Sequence, residues 1–326
     1  MNRKIRVAAI YKKSFNFLSG NHFDNTYYHF FIDALQRNKK IEVDYFPAEN
    51  SFDTSKLKGK YDVILLANNN IDGTPNELVG IKNVGIPVIS KMGDPQNAKK
   101  FNQFQFHEKF NIDYYFNFLH KDYFYKFYPK SYSYKTIIWG LEPALNQNFT
   151  PFKDRIKNKI LNSGATGNTK IFSRVINSII NHNSNSYNQY KLRTLCNKLP
   201  YVDYTQTLQH EFIGDKYPQL LQKYSASIAA STTTPTRKYL EIPAAGCLTF
   251  MEVTEKNRGK YLQFKDDENV IFINEKNYKK KFCEYLDDPE NKKWQEIAKR
   301  GQYHAKNNLS NDKGVDLLVD LIKEII

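Results

Sequence analysis

Arg237 and Glu241 stand one helical turn apart in the run Thr236-Arg237-Lys238-Tyr239-Leu240-Glu241-Ile242-Pro243-Ala244-Ala245-Gly246. A carboxylate accepts two hydrogen bonds side by side, a geometry that suits the vicinal hydroxyls of a ribose and that neutral side chains match poorly. A guanidinium holds phosphate oxygens in the same bidentate way and neutralises their charge. A plainer reading stays open, in which Glu241 is a helix-surface carboxylate paired with Lys238 at i−3, worth roughly a few tenths of a kcal/mol. Lys238 itself reads as a solvated or secondary charge.

Other residues could act beside them. Gly164-Ala165-Thr166-Gly167 follows an apolar run and precedes a helical pattern that carries Arg174. Such a loop can turn backbone N–H groups and a helix N-terminus toward a phosphate, or it can be an ordinary turn. Thr232, Thr233 and Thr234 follow a strand-like run, where hydroxyls and amides can touch a bound anion or form a polar loop with local turns. Asp94, in Lys91-Met92-Gly93-Asp94-Pro95, follows the strand Ile86–Ser90. The carboxyl end of a strand is where α/β sites form, so Asp94 is a candidate general base; an Asp before Pro is also a common turn. His107 and His22 are alternatives, since imidazole titrates near neutrality.

The elements that must position these groups alternate. Ile5–Ile10, Ile41–Phe46, Tyr61–Ala67, Ile86–Ser90, Asp113–Asn117 and Lys135–Trp139 read as strands, with a helix over Tyr27–Gln36. A polar span, Glu142–Lys157 with Pro143 and Pro151, reads as a linker. The pattern restarts at Lys159-Ile160-Leu161-Asn162, continues with a helix over Lys170–Asn181 and a strand over Ser225–Ala230, and closes on an amphipathic helix over Val315–Ile325. Strand–helix alternation implies doubly wound parallel sheets. The expected organisation is α/β in two domains, residues 1–150 and 151–326. The aromatic stretch Tyr114–Tyr134 reads chiefly as core, though such rings can also stack on sugars or bases.

The order of motifs in the last third of the chain resembles the spore-maturation-protein-type branch of the GT-B-fold glycosyltransferases. The resemblance rests on Arg237, Leu240-Glu241, Ala244-Ala245-Gly246, Asp266-Asp267-Glu268 and Leu286-Asp287-Asp288-Pro289-Glu290; the first two thirds match only in architecture. It implies two Rossmann-like domains facing each other across a cleft, the first binding an acceptor and the second a nucleotide-sugar donor. The last helix would return to the first domain. It implies that Glu241 holds the donor ribose and that an acidic residue or His stands in the loop of Asp94, facing the cleft; residue chemistry adds Arg237 or Arg174 near the diphosphate, with Gly164, Thr166, Thr233 and Thr234 around it. Many related retaining enzymes carry a second Glu eight positions before the first. Here that position is Thr233, which leaves the stereochemistry open. No metal is expected.

Composition bounds the partners. A chain of 326 residues with 40% hydrophobic content can build two cores. No apolar run reaches the roughly 18 residues of a membrane span, and the run after Met1-Asn2-Arg3-Lys4-Ile5-Arg6 is too short for a signal peptide. Three widely spaced cysteines, Cys196, Cys247 and Cys283, show no metal spacing and suit a reducing cytoplasm. Lys and Arg number 48 against 34 Asp and Glu, a formal charge of +14. This favours nucleotide-sugar phosphates, nucleic acid or an anionic membrane face, or reflects a composition rich in Lys, Asn and Ile. The leading expectation is transfer to a cell-surface glycan, a lipid-linked saccharide or a glycoprotein, at the cytoplasmic membrane face. Two alternatives are transfer to modified bases in DNA, and a non-catalytic nucleotide-sugar-binding relative.

Overall fold

The computed structural model describes residues 3–15, 31–69, 73–146, 149–167, 185–205 and 216–326. His22 and Arg174 lie outside these residues, as does the helix expected over Lys170–Asn181. The chain divides into two compact units, one running to Trp139 and including Asn311–Ile326, the other holding Gly140–Ser310.

The first unit is built on β1 (Ile5–Lys12), β2 (Ile41–Ala48), β4 (Val63–Leu66), β6 (Val88–Lys91), β7 (Tyr114–Asn117) and β8 (Tyr134–Thr136), with a small side sheet of β3 (Ser51–Asp53) and β5 (Glu77–Val79). The large sheet has the order β2-β1-β4-β6-β7-β8, and every pairing is parallel. Its inner strands are buried on both faces, which is why they read as continuous apolar runs. All four residues of β4 and all four of β6 are buried. The aromatic stretch is mostly core: Phe124 stacks between Tyr128 at 4.5 Å and Tyr134 at 4.3 Å, and Tyr115 is fully buried. Helix α1 (Gln103–Phe110) connects β6 to β7.

The second unit holds β9 (Ile156–Ser163), β10 (Val202–Thr205), β11 (Tyr224–Ala229), β12 (Leu248–Glu252) and β13 (Ile271–Ile273), in the order β10-β9-β11-β12-β13 and again all parallel. Its helices include α2 (Lys191–Cys196), α3 (Lys216–Gln222), α4 (Lys238–Ala244), α5 (Tyr278–Leu286) and α6 (Lys292–Asn308). In each sheet the chain adds a strand on one side of the first and then moves to the other side. The reversal falls between β1 and β4 in the first unit and between β9 and β11 in the second. At such points the loops leaving the carboxyl ends diverge and open a crevice for a ligand.

The last helix, α7 (Asn311–Ile325), belongs to the first unit. Val315, Leu318, Val319 and Ile322 form its buried stripe, at the spacing of a helix face. At Gly314 it packs closely on the segment that follows β8, since a β-carbon there would lie 2.2 Å from the Ile138 carbonyl oxygen. Gly314→Ala should therefore lower stability. The gain in helix propensity is about 1 kcal/mol, but the obstacle is backbone, and overpacking of this kind costs about 1–3 kcal/mol. A urea unfolding midpoint below that of the parent is the expected result.

Candidate functional site

The reversal between β9 and β11 gathers most of the chemistry of the second unit. The loop after β9 begins at Gly164, whose φ of +87° is a left-handed conformation that glycine adopts without strain. A β-carbon at this position would lie 2.7 Å from Cε of Lys238 and 3.6 Å from Nη1 of Arg193. The loop is thus folded directly over two cations from elsewhere in the chain.

Both cations are held from below. Arg193 on α2 is 2% exposed. It donates from Nη1 to the Ala165 carbonyl at 3.0 Å and from Nη2 to the Ala230 carbonyl at 2.6 Å, so one guanidinium ties the loop after β9 to the loop after β11. Its Nε makes no hydrogen bond to any described residue. Lys238, in the first turn of α4, is 8% exposed and donates to the Tyr217 hydroxyl at 3.1 Å; that hydroxyl lies 2.9 Å from Ser163 Oγ. Burial, with Arg193 close by, pushes the Lys238 amine down to about 7, against an opposing pull from Glu241. The expectation that Lys238 is solvated is therefore corrected: the amine is enclosed, and an incoming anion would restore its charge.

The loop uses part of its own donor set internally. The Gly164 amide bonds to the Thr205 carbonyl at 3.0 Å and the Gly167 amide to Thr194 Oγ1 at 2.8 Å. Thr166 Oγ1 lies 3.0 Å from the Tyr204 hydroxyl, which itself donates to the Gly164 carbonyl. A phosphate cradle built from both glycine amides is thereby ruled out in this conformation. The cationic side chains are the stronger anion donors here.

The loop after β11 is fixed at its base and open in its hydrogen bonding above. Ser231 accepts from Asn257 Nδ2 through its carbonyl and donates its amide to the Tyr239 hydroxyl; the Thr232 amide donates to the Gln189 carbonyl. Among the described residues, the buried hydroxyls of Thr232, Thr234 and Thr236 nonetheless have no hydrogen-bond partner. Buried polar atoms are normally satisfied, so three such hydroxyls on one five-residue loop make a place that ordered water or a polar ligand would complete. Thr233 in the same loop is half-buried. Arg237 immediately precedes α4 and packs along Gly140, and Glu241 is half-buried in the first turn of that helix. At the carboxyl end of β12, Glu252 is 2% exposed; burial pushes its carboxyl up to about 7, although Arg193 draws it down.

In the first unit the corresponding edge carries Asp94. The segment after β6 is pinned by two asparagines: the Gly93 amide donates to Asn69 Oδ1 at 2.8 Å, and Asn117 Nδ2 donates to the Met92 carbonyl at 2.5 Å. Asp94 follows this pinned segment, is exposed, and begins a short 3₁₀ turn through Pro95. Lys91, buried at the end of β6, lies 4.8 Å from the Trp139 ring centre.

His107 is elsewhere. It sits in the last turn of α1, which leads into the amino end of β7, and Asp113 just beyond accepts from the amide of Val88, the first residue of β6. Its ring stacks on Tyr132 at 3.6 Å and burial lowers its pKa. It is a packed histidine at the opposite edge of the sheet from Asp94.

No protein-family model matches the chain, and no curated protein sequence matches it. Solved structures do match over nearly the whole length. An alpha-glucosyltransferase solved with UDP-glucose and DNA containing an abasic site aligns with a TM-score of 0.59 at 10% identity, covering 98% of this chain and 100% of that one. The Anabaena protein HepE, solved with UDP-glucose, aligns at 0.56 and 9% identity over 98% and 100%. A glycosyltransferase from Rickettsia africae aligns at 0.54 and 11% identity over 99% of both chains. At these identities the likeness establishes the fold: two Rossmann-like domains of the GT-B glycosyltransferase type.

Proposed function

We propose that this chain is a glycosyltransferase that takes its sugar from a nucleotide-sugar donor held at the carboxyl edge of the second unit. The observation that carries the reading is the enclosed cation pair, Lys238 and Arg193, beneath Gly164 at the strand-order reversal, with Glu241 one turn along the same helix. Lys238, Arg193 and Arg237 would receive the diphosphate and stabilise it as the leaving group, the threonine hydroxyls of the following loop would reach its oxygens or the sugar, and Glu241 would take the ribose diol. Preorganised charge of this kind stabilises a developing phosphate anion without reorganisation at the moment of reaction. Asp94 would accept the proton of the acceptor hydroxyl. His107, packed at the far edge of its sheet, has no part in the chemistry.

The motif order of the last third supports the spore-maturation-type branch, and with it a glycan, lipid-linked or glycoprotein acceptor. The +14 charge and the likeness to a glucosyltransferase solved with DNA favour a second reading, transfer to a modified base in DNA. Duplex binding with a log–log salt slope of about −0.9 per neutralised phosphate, and turnover raised by base-modified DNA, would select it. Binding to anionic vesicles instead would select a membrane-surface acceptor. Among the described residues no helix is long and apolar enough to cross a membrane.

Glu241→Ala tests the donor site. At about 100 times its dissociation constant, a nucleoside diphosphate should add about 2.7 kcal/mol to the stability of the parent. Loss of a charge-assisted pair of hydrogen bonds weakens binding about ten- to a hundredfold. The same concentration should then add only about 1.4 to 0.4 kcal/mol. An undiminished thermal shift would remove Glu241 from the site.

A further inference from the structure

The second unit has another cavity, at the amino edge of its sheet, which the donor reading does not use. Its volume is about 370 Å³, within the range of small-ligand pockets, and its cationic members are Lys153, Arg155 and Lys299. Phe149 and Phe152 supply apolar wall, Gln295 and Gln302 supply amides, and the described lining contains no carboxylate. Arg155 immediately precedes β9, whereas Gly164 follows it, so about 26 Å of strand separates this cavity from the donor edge.

Arg155 decides what the cavity can hold. It is 6% exposed, yet among the described residues no carboxylate pairs with it. Its Nε donates to the Thr150 carbonyl at 3.0 Å; its Nη1 donates to the Gly246 carbonyl at 3.1 Å and lies 3.8 Å from Cys247 Sγ. These contacts cap the carboxyl end of α4. They leave Nη2 without a hydrogen-bond partner among the described residues. Nη2 lies 3.4 Å from where a Gly246 β-carbon would be, on the same cavity wall as Gln302. Nη2 is open to solvent through the cavity, so water can meet it, and an anion entering there would replace that water and supply the counter-charge the guanidinium lacks. The exposed Lys153 and Lys299 at the same cavity add to the attraction.

We infer that this cavity is a binding site for a small anionic metabolite, a phosphate or carboxylate held by Arg155 with Lys153 and Lys299 and its carbon skeleton against Phe149 and Phe152. The site is separate from the donor edge but touches the same helix: Arg155 and Gln302 hold the carbonyls of Gly246 and Ala244, and Lys238 and Glu241 stand at the other end of α4. A ligand here is therefore placed to influence donor binding.

Isothermal titration of the full chain with glucose 1-phosphate, citrate and inorganic phosphate tests the inference. Saturable one-site binding of the sugar phosphate or of citrate is expected, and the tighter of the two tells whether phosphate or carboxylate is the anchor. Because both lysines are exposed, the Lys153→Glu, Lys299→Glu double variant should melt as the parent does but bind about tenfold or more weakly. Lys238→Met, which removes a phosphate contact of the donor edge, should leave this binding unchanged, which separates the two sites. No saturable binding by any of the three probes, binding retained in the double variant, or binding lost in Lys238→Met would each overturn it. None of these outcomes depends on the chain being a glycosyltransferase.

Discussion

Asp94→Asn should cut transfer to acceptor by about 10²- to 10⁴-fold, the usual contribution of a general base, while nucleoside diphosphate affinity stays at the parent value. The two halves of the result belong together. Asp94 is carried by the first unit, on a segment locked by Asn69 and Asn117, and the proposed donor contacts all come from the second. Asparagine keeps the shape and much of the hydrogen bonding of the exposed side chain, so the fold should be unaffected. Steady-state kinetics with a nucleotide sugar and a competent acceptor, beside a direct diphosphate titration, read both quantities. Turnover near the parent value would mean that no protein base is used and that the leaving phosphate takes the acceptor's proton.

Lys238→Met should weaken diphosphate binding about tenfold or more while making the free protein no less stable. The first effect is the loss of a charge-assisted contact in an enclosed site. The second follows because an apolar side chain of similar length relieves the burial of an amine, a change that is often neutral or stabilising by about 1–4 kcal/mol. The pH dependence gives a further check. The amine titrates near 7 in the folded protein and near 10.4 in an unfolded chain, so between these values the unfolded state holds more protons. Stability from this group therefore rises with pH across that window, and below 7 the full cost of the buried charge is present. A bound diphosphate keeps the amine protonated, so binding above pH 7 takes up a proton and affinity falls as pH rises. Titrations in two buffers of different ionisation enthalpy should show that uptake at pH 8 in the parent and not in Lys238→Met. A variant that is destabilised yet binds normally would make Lys238 a structural residue.

Much of the fold could be read from the chain because parallel strands buried on both faces are written as short apolar runs. Val63–Leu66 and Val88–Lys91 were visible for that reason. Val202–Thr205 was not, since it is an edge strand of half-buried and exposed residues that reads as a polar loop. Gly164 and the Glu241 helix were legible through local spacing. The cations beneath them were not, because what joins residues 164, 193 and 238 is tertiary contact. Lys238 did carry a signal: Ile242 and Ala245, four and seven positions on, share its helix face and are buried, so the lysine stands on the inward side. Arg193 carried none, lying in an ordinary mixed run, Lys191-Leu192-Arg193-Thr194. His107 misleads in the opposite way, because only the direction of its helix shows which edge of the sheet it reaches.

Amide hydrogen exchange with and without a saturating nucleoside diphosphate tests the central claim most directly, because it locates the ligand without assuming an acceptor. Binding at the reversal between β9 and β11 predicts added protection in Gly164–Gly167 and in Ser231–Glu241, with no comparable change in β6 or the segment through Asp94. Saturable binding whose protection falls in the first unit, or leaves both of those segments unchanged, would contradict it.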